Sequence, residues 1–200
     1  GGSIDVNLTK ELSNFPNPIW STYGMTETLS HIALRQVNGE QASEWYTPFE
    51  NIHISLSDRQ TLIIDAPAVS DILLETNDIA EINSEGQFRI LGRSDNIINS
   101  GGVKIQIEEV ERLLRDCINS DFVITSTPDP KFGEIVVMLI SGDVTIDKIE
   151  DICKDKLPIY WVPKRIYSIP EIPYPETNKL DRQRAKYIAE ILHNKRRLDK

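Results

Sequence analysis

The chain has 200 residues, 40% of them apolar and 26% charged, enough to bury one core or two small ones. Its net charge of -9 gives a mean field that repels nucleic acid and anionic membrane surfaces, so any phosphate-bearing ligand must be held by local positive groups. No apolar run is long enough to span a membrane, and residues 1–5 lack the basic and apolar regions of a signal peptide, so a cytoplasmic protein is expected.

In chain order, the first half reads as short strands with turns. Residues 52–56 alternate at period two, Ser57-Asp58-Arg59-Gln60 is a polar turn and Thr61-Leu62-Ile63-Ile64 returns, which predicts a hairpin. A second hairpin is predicted over residues 79–91, turning at Ser84-Glu85-Gly86-Gln87. After Gly92 the period changes. Ile107, Val110, Leu113 and Leu114 predict a helix over residues 108–116, residues 122–125 and 135–140 two strands, and Ile146, Ile149 and Ile152 a second helix. A strand at residues 166–169 and a helix through Ala185, Ile188, Ala189 and Leu192 complete an αββαβα order for residues 97–200. The fold class is therefore α+β, a β-rich part followed by a compact α+β lid. The polar stretch Gly92-Arg93-Ser94-Asp95-Asn96 between them is where a domain boundary falls, short enough to act as a hinge.

Cys117 and Cys153 have no Cys-x-x-Cys spacing and read as separate thiols, and His31, His53 and His193 form no local metal motif. The cationic tail Lys195-Arg196-Arg197 suits the end of a helix, where positive charge meets the negative pole of the dipole. Ser21-Thr22-Tyr23-Gly24-Met25-Thr26-Glu27-Thr28 is more suggestive. A glycine beside an aromatic lets backbone approach a flat ligand, and a hydroxyl and a carboxylate just after it can reach a phosphate and its magnesium. The same residues also suit a polar loop after a strand.

That octet resembles a motif of the adenylate-forming acyl-CoA ligase superfamily (AMP-binding enzymes), and further blocks resemble it in order. Gly1-Gly2-Ser3 is similar to a Gly-Gly-Ala strand end that lines the acyl pocket, and Thr76-Asn77-Asp78 to Thr-Gly-Asp. Gly92-Arg93-Ser94-Asp95, Ser100-Gly101-Gly102-Val103-Lys104-Ile105 and Glu109-Val110-Glu111 resemble the hinge block, and Pro128-Asp129 with Gly133-Glu134 a Pro-Asp-x-x-x-Gly-Glu motif. Residues 173–182 resemble Pro-x-Thr-x-x-Gly-Lys-x-x-Arg, with Pro175 and Asn178 replacing the threonine and glycine. Asn77 replaces another glycine, and asparagine is the next residue most able to take a left-handed conformation.

The resemblance implies residues 1–93 as the C-terminal part of a large AMP-binding domain, 94–96 as hinge with Asp95 at its pivot, and 97–200 as a mobile lid. It implies that Gly1 and Gly2 border the acyl pocket, that Tyr23 and Gly24 lie against adenine, that Thr26 contacts phosphate and that Glu27 binds magnesium. Asp78 and Arg93 would hold the ribose, Lys104 a phosphate, and Gly102 would border the pantetheine tunnel. Lys179 would neutralise charge during adenylation. The substrates implied are ATP with Mg2+, coenzyme A and a small carboxylic acid, with no nucleic acid or membrane partner; a homo-oligomer stays open. The family's Ser/Thr/Gly-rich phosphate loop does not occur among these residues, so the chain reads as a fragment that needs the upstream part of its own polypeptide. Residues 23–35 resemble o-succinylbenzoate-CoA ligases of menaquinone synthesis. The alternatives are an adenylation domain that loads a carrier protein, and a non-catalytic lid or interaction module.

Overall fold

The computed structural model describes residues 6–174 and 180–198. The chain divides into two units, Gly1–Ser94 and Asp95–Lys200.

In the first unit a short helix α1 (Val6–Leu12), not foreseen from the sequence, precedes an antiparallel sheet of β1 (Trp20–Gly24), β2 (His31–Gln36) and β3 (Thr47–Pro48). A second antiparallel sheet is a meander of β4 (His53–Leu56), β5 (Thr61–Asp65), β6 (Leu74–Ile82) and β7 (Phe88–Arg93). The hairpin expected over residues 52–64 is β4 and β5, with Gln60 left-handed at the turn (φ 63°). The second hairpin is longer than periodicity suggested, because polar Glu75, Asn77 and Asp78 continue β6 below the alternating stretch. Tyr46 and Phe88 exchange backbone hydrogen bonds and so join the two sheets, over a core of Ile32, Ala33, Leu62, Ile64 and Phe88.

The second unit is built on β11 (Gly133–Ser141). Its Ile135, Val137 and Leu139 pack on one side and Val136, Met138 and Ile140 on the other, and all six are buried. A strand covered on both faces reads as an unbroken apolar run rather than an alternating one. β10 (Phe122–Asp129) pairs with it antiparallel, and β12 (Arg165–Ile169) parallel, after a connection through helix α3 (Ile146–Lys156) of the length that parallel pairing requires. Helix α2 (Ile107–Arg115) packs on β10 beside α3, and α4 (Arg182–Leu198) packs on β10 and β11.

Residues 97–106 correct the expected αββαβα order. They form a hairpin, β8 (Ile97–Ser100) and β9 (Val103–Gln106), joined by Gly101 and Gly102 at φ +58° and +85°. A two-residue turn with both residues left-handed matches the twist of its strands and calls for glycine. The strands escape periodicity because each carries only two apolar residues.

One buried charge pair organises this unit. Glu111 on α2 is 5% exposed, accepts the Ile124 backbone N–H of edge strand β10 at 2.9 Å, and receives both Arg182 Nη atoms at 3.1 and 2.9 Å. Burial alone would depress the Arg182 guanidinium; the Glu111 carboxylate outweighs it and holds the guanidinium above its ordinary value. Cys117 and Cys153 are free thiols, and burial with the nearby Glu150 charge pushes Cys153 up to about 11, which leaves it an inert core residue. Among the described residues no helix is long and apolar enough to cross a membrane.

Arg182→Ala strands the Glu111 carboxylate and should destabilise this unit by about 3–5 kcal/mol, whereas Glu111→Leu with Arg182→Met should recover most of that loss. Urea unfolding followed at Trp161, in variants lacking the other tryptophans, checks this. Equal stability of Arg182→Ala and the parent would show that the pair is not a structural joint.

Candidate functional site

In the first unit, residues from three strands meet at one carboxylate. The β6–β7 register sets Asp78 opposite Arg93, just past a bulge between Ile79 and Ala80. A bulge increases local twist and re-aims the side chains beside it. Arg93 Nη1 donates to Asp78 Oδ1 at 3.3 Å, and from β1 the Tyr23 hydroxyl donates to Asp78 Oδ2 at 2.6 Å. The Asp78 backbone N–H donates to the Thr76 hydroxyl at 3.0 Å. The Tyr23 ring lies edge-on to Phe88, with centroids 5.1 Å apart, and tilted against Tyr46 at 5.8 Å. Arg35 stacks over the other aromatic partner, Tyr46, at 5.3 Å.

This packing keeps Tyr23 protonated. Burial raises its pKa above the ordinary value, and the hydrogen bond to Asp78 and the Asp78 charge raise it further. Tyr23 is therefore a fixed hydrogen-bond donor that holds one carboxylate oxygen. Each oxygen of Asp78 retains acceptor capacity, because a carboxylate offers about four lone-pair sites.

Gly24 has a second reason to be glycine, beside the one read in the sequence. A Cβ there would lie 2.3 Å from the Ser30 carbonyl oxygen and 2.9 Å from His31 Cα, so the close approach is that of the chain's own return into β2. Between them Thr26–Thr28 form one 3₁₀ turn, stabilised by the Met25 N–H donating to the Thr28 hydroxyl at 3.0 Å. Thr26 and Glu27 are exposed on that turn. Asn77 is a correction: it lies in β6 outside the left-handed residues, and its side-chain Oδ1 accepts from the Ser94 hydroxyl at 3.4 Å, so no glycine-like conformation is needed.

In the second unit Lys104 is exposed on β9, and a Cβ on Gly102 would meet nothing within 4 Å. Asp95 lies in the 3₁₀ turn Ser94–Asn96. The Asn96 amide donates to Glu108, which also receives Gln106 and lies 3.7 Å from Arg182. Gly1, Gly2 and Lys179 lie outside the described residues. Local periodicity could not reveal the Glu111–Arg182 pair; its two members stand in blocks already singled out as motifs.

No family model matches the chain. It is 27% identical over 208 residues to the 2-succinylbenzoate–CoA ligase of Lactococcus lactis subsp. lactis (strain IL1403), covering 93% of this chain and 45% of that one. The chain is related to the AMP-forming acyl-CoA ligases. Among solved structures, an arginine-to-lysine variant of E. coli MenE with bound OSB-AMS matches with a TM-score of 0.74 and 25% identity, over 96% of this chain and 45% of that one. The o-succinylbenzoate coenzyme A synthetase (MenE) of Bacillus subtilis in complex with ATP and magnesium ion has the same fold, with a TM-score of 0.70 and 23% identity over 92% and 44%. The chain thus spans a little under half the length of these acyl-CoA ligase relatives.

Gly24→Ala forces the β1–β2 return apart and should cost about 1–3 kcal/mol, the usual penalty of overpacking. Urea unfolding followed at Trp20 and Trp45 measures it, and an unchanged midpoint would mean that the Ser30 carbonyl moves away freely.

Proposed function

We propose that this chain is the C-terminal portion of an ATP-dependent acid-thiol ligase, cytoplasmic and acting in menaquinone biosynthesis. The longer polypeptide would join the carboxylate of o-succinylbenzoate to AMP, releasing pyrophosphate, and then transfer the acyl group to the thiol of coenzyme A, releasing AMP. The observation that carries the reading is the Asp78 carboxylate, held by Tyr23 from one sheet and Arg93 from its own hairpin, with the exposed Thr26 and Glu27 in the turn that follows the strand of Tyr23.

In this reading Asp78 accepts the ribose hydroxyls, Arg93 adds charged donors beside them, and the Tyr23 ring lies against adenine. Thr26 supplies a hydroxyl to phosphate. Glu27 supplies a hard oxygen to Mg2+. Among the described residues no group of three or more His, Cys, Asp or Glu side chains is placed to hold a metal. A single carboxylate suits Mg2+, which keeps several waters and is commonly shared between one or two carboxylates and substrate phosphates. That ion would neutralise phosphate charge in the first step. Lys179 would offset negative charge at the α-phosphate, with Lys104 beside it, and Gly102 would leave room for pantetheine. Gly1 and Gly2 would border the acyl pocket, and Asp95 would be the pivot between the two half-reactions.

The test uses the full-length polypeptide and both half-reactions. Lys179→Ala should slow adenylate formation by about 10²–10³-fold, as expected for loss of one preorganised donor, while supplied acyl-adenylate still reacts with coenzyme A. Gly102→Leu should preserve pyrophosphate exchange and abolish thioester formation. Its added side chain meets open space, so the folding penalty is only the left-handed strain of about 1–2 kcal/mol. Equal loss of both steps in either variant, or a parent protein inert towards o-succinylbenzoate, ATP and coenzyme A, would contradict the proposal.

A further inference from the structure

The β8–β9 hairpin that carries Gly101 and Gly102 has a weak attachment to its sheet. It pairs with β11 through one residue pair, Ser100 with Gly133. Side-chain and turn contacts around Glu134 make up for the missing ladder. Glu134 Oε2 accepts the Asn99 backbone N–H at 3.3 Å, while Oε1 accepts the Ser126 hydroxyl at 2.8 Å and Lys186 Nζ at 3.0 Å. The Gly101 N–H donates to the Phe132 carbonyl at 2.8 Å. The turn carrying that carbonyl is itself braced, since Asp129 Oδ1 accepts the N–H groups of Lys131 and Phe132 at 2.8 and 3.0 Å. Partial burial alone would raise the Glu134 carboxyl, but the bonds from Ser126, Lys186 and the Asn99 amide outweigh it and hold the group below the usual carboxylate range. At neutral pH the acceptor is thus charged.

We infer that Glu134 is a positioning residue for thioester formation, tying β8, β10 and α4 together so that the Gly101–Gly102 tip is held where the thiol substrate passes. The inference rests on the reading above, in which Gly102 borders that path. Glu134 touches no substrate; it acts through the Asn99 amide and the turn at Phe132. Misplacing a group by about 1 Å can slow a reaction by about 10²-fold, so a loosened tip should impair the step that uses it and spare the other.

Two measurements separate this inference from the functional reading. In the 200-residue chain, Glu134→Ala should speed hydrogen exchange at the Asn99 and Gly101 amides, Glu134→Gln less so because it keeps an acceptor, and Lys186→Met least. In the full-length polypeptide, the same order should appear as a rise in KM for coenzyme A and a loss of thioester formation from supplied adenylate, by up to about 10²-fold in Glu134→Ala, with pyrophosphate exchange preserved. If Glu134→Ala does not fold, the Gln and Met variants carry the same comparison. Unchanged exchange at both amides, equal loss of both half-reactions, or full thioester formation in an active enzyme overturns the positioning role. Altered exchange in a polypeptide whose parent forms neither adenylate nor thioester overturns the functional reading, and with it the role assigned to Glu134.

Discussion

The Tyr23–Asp78 hydrogen bond is the contact on which the first unit turns. It spans 55 residues and bridges the sheet of β1 to the hairpin of β6 and β7. Its geometry is set from both ends. Phe88 and Tyr46 hold the Tyr23 ring, and the β6–β7 register with its bulge sets Asp78 opposite Arg93. A half-buried phenol whose pKa is raised is a dependable donor, and a carboxylate between a phenol and a guanidinium is held in one orientation. Such a group is preorganised: its orientation is set by the fold, before any ligand binds.

The second unit uses carboxylates in the same way. Glu111 satisfies an edge-strand N–H that would otherwise lack a partner and clamps the first residue of α4 to α2 across 71 positions. Glu134 replaces part of a strand ladder at the hairpin tip. In each case one acidic side chain accepts from a backbone amide and from a cation brought by a distant segment. Hydrogen bonds of this charge-assisted kind are short and strong, and their loss leaves a partly or wholly desolvated charge. The acidic residues of the Glu-Val-Glu and Gly-Glu blocks therefore have a reason to be acidic that holds before any catalytic role is considered.

Periodicity made the regular parts legible. The 52–64 hairpin, the helices α2, α3 and α4 and the strand β11 each repeat apolar residues often enough for local reading. The β8–β9 hairpin was missed because two apolar residues per strand are too few for a period to show. Asp78 and Arg93 were paired at the ribose only through the resemblance, not through any local pattern. Counting outward from the Ser84–Gln87 turn brings them face to face only when the bulged residue is allowed for. The steric reason for Gly24 was not legible, because sequence cannot show that the Ser30 carbonyl comes back against it. The donors to Glu111 and Glu134 lie up to 71 and 52 residues away, and no local pattern encodes them.

The most direct measurement is a crystal structure of the full-length polypeptide with AMP bound. The expected result is both ribose hydroxyls within hydrogen-bond distance of the Asp78 carboxylate, Arg93 beside them and adenine against the Tyr23 ring, with the Tyr23–Asp78 bond retained. Nucleotide bound elsewhere, with Asp78 touched only by Tyr23 and Arg93, would show that the carboxylate is a structural joint and nothing more.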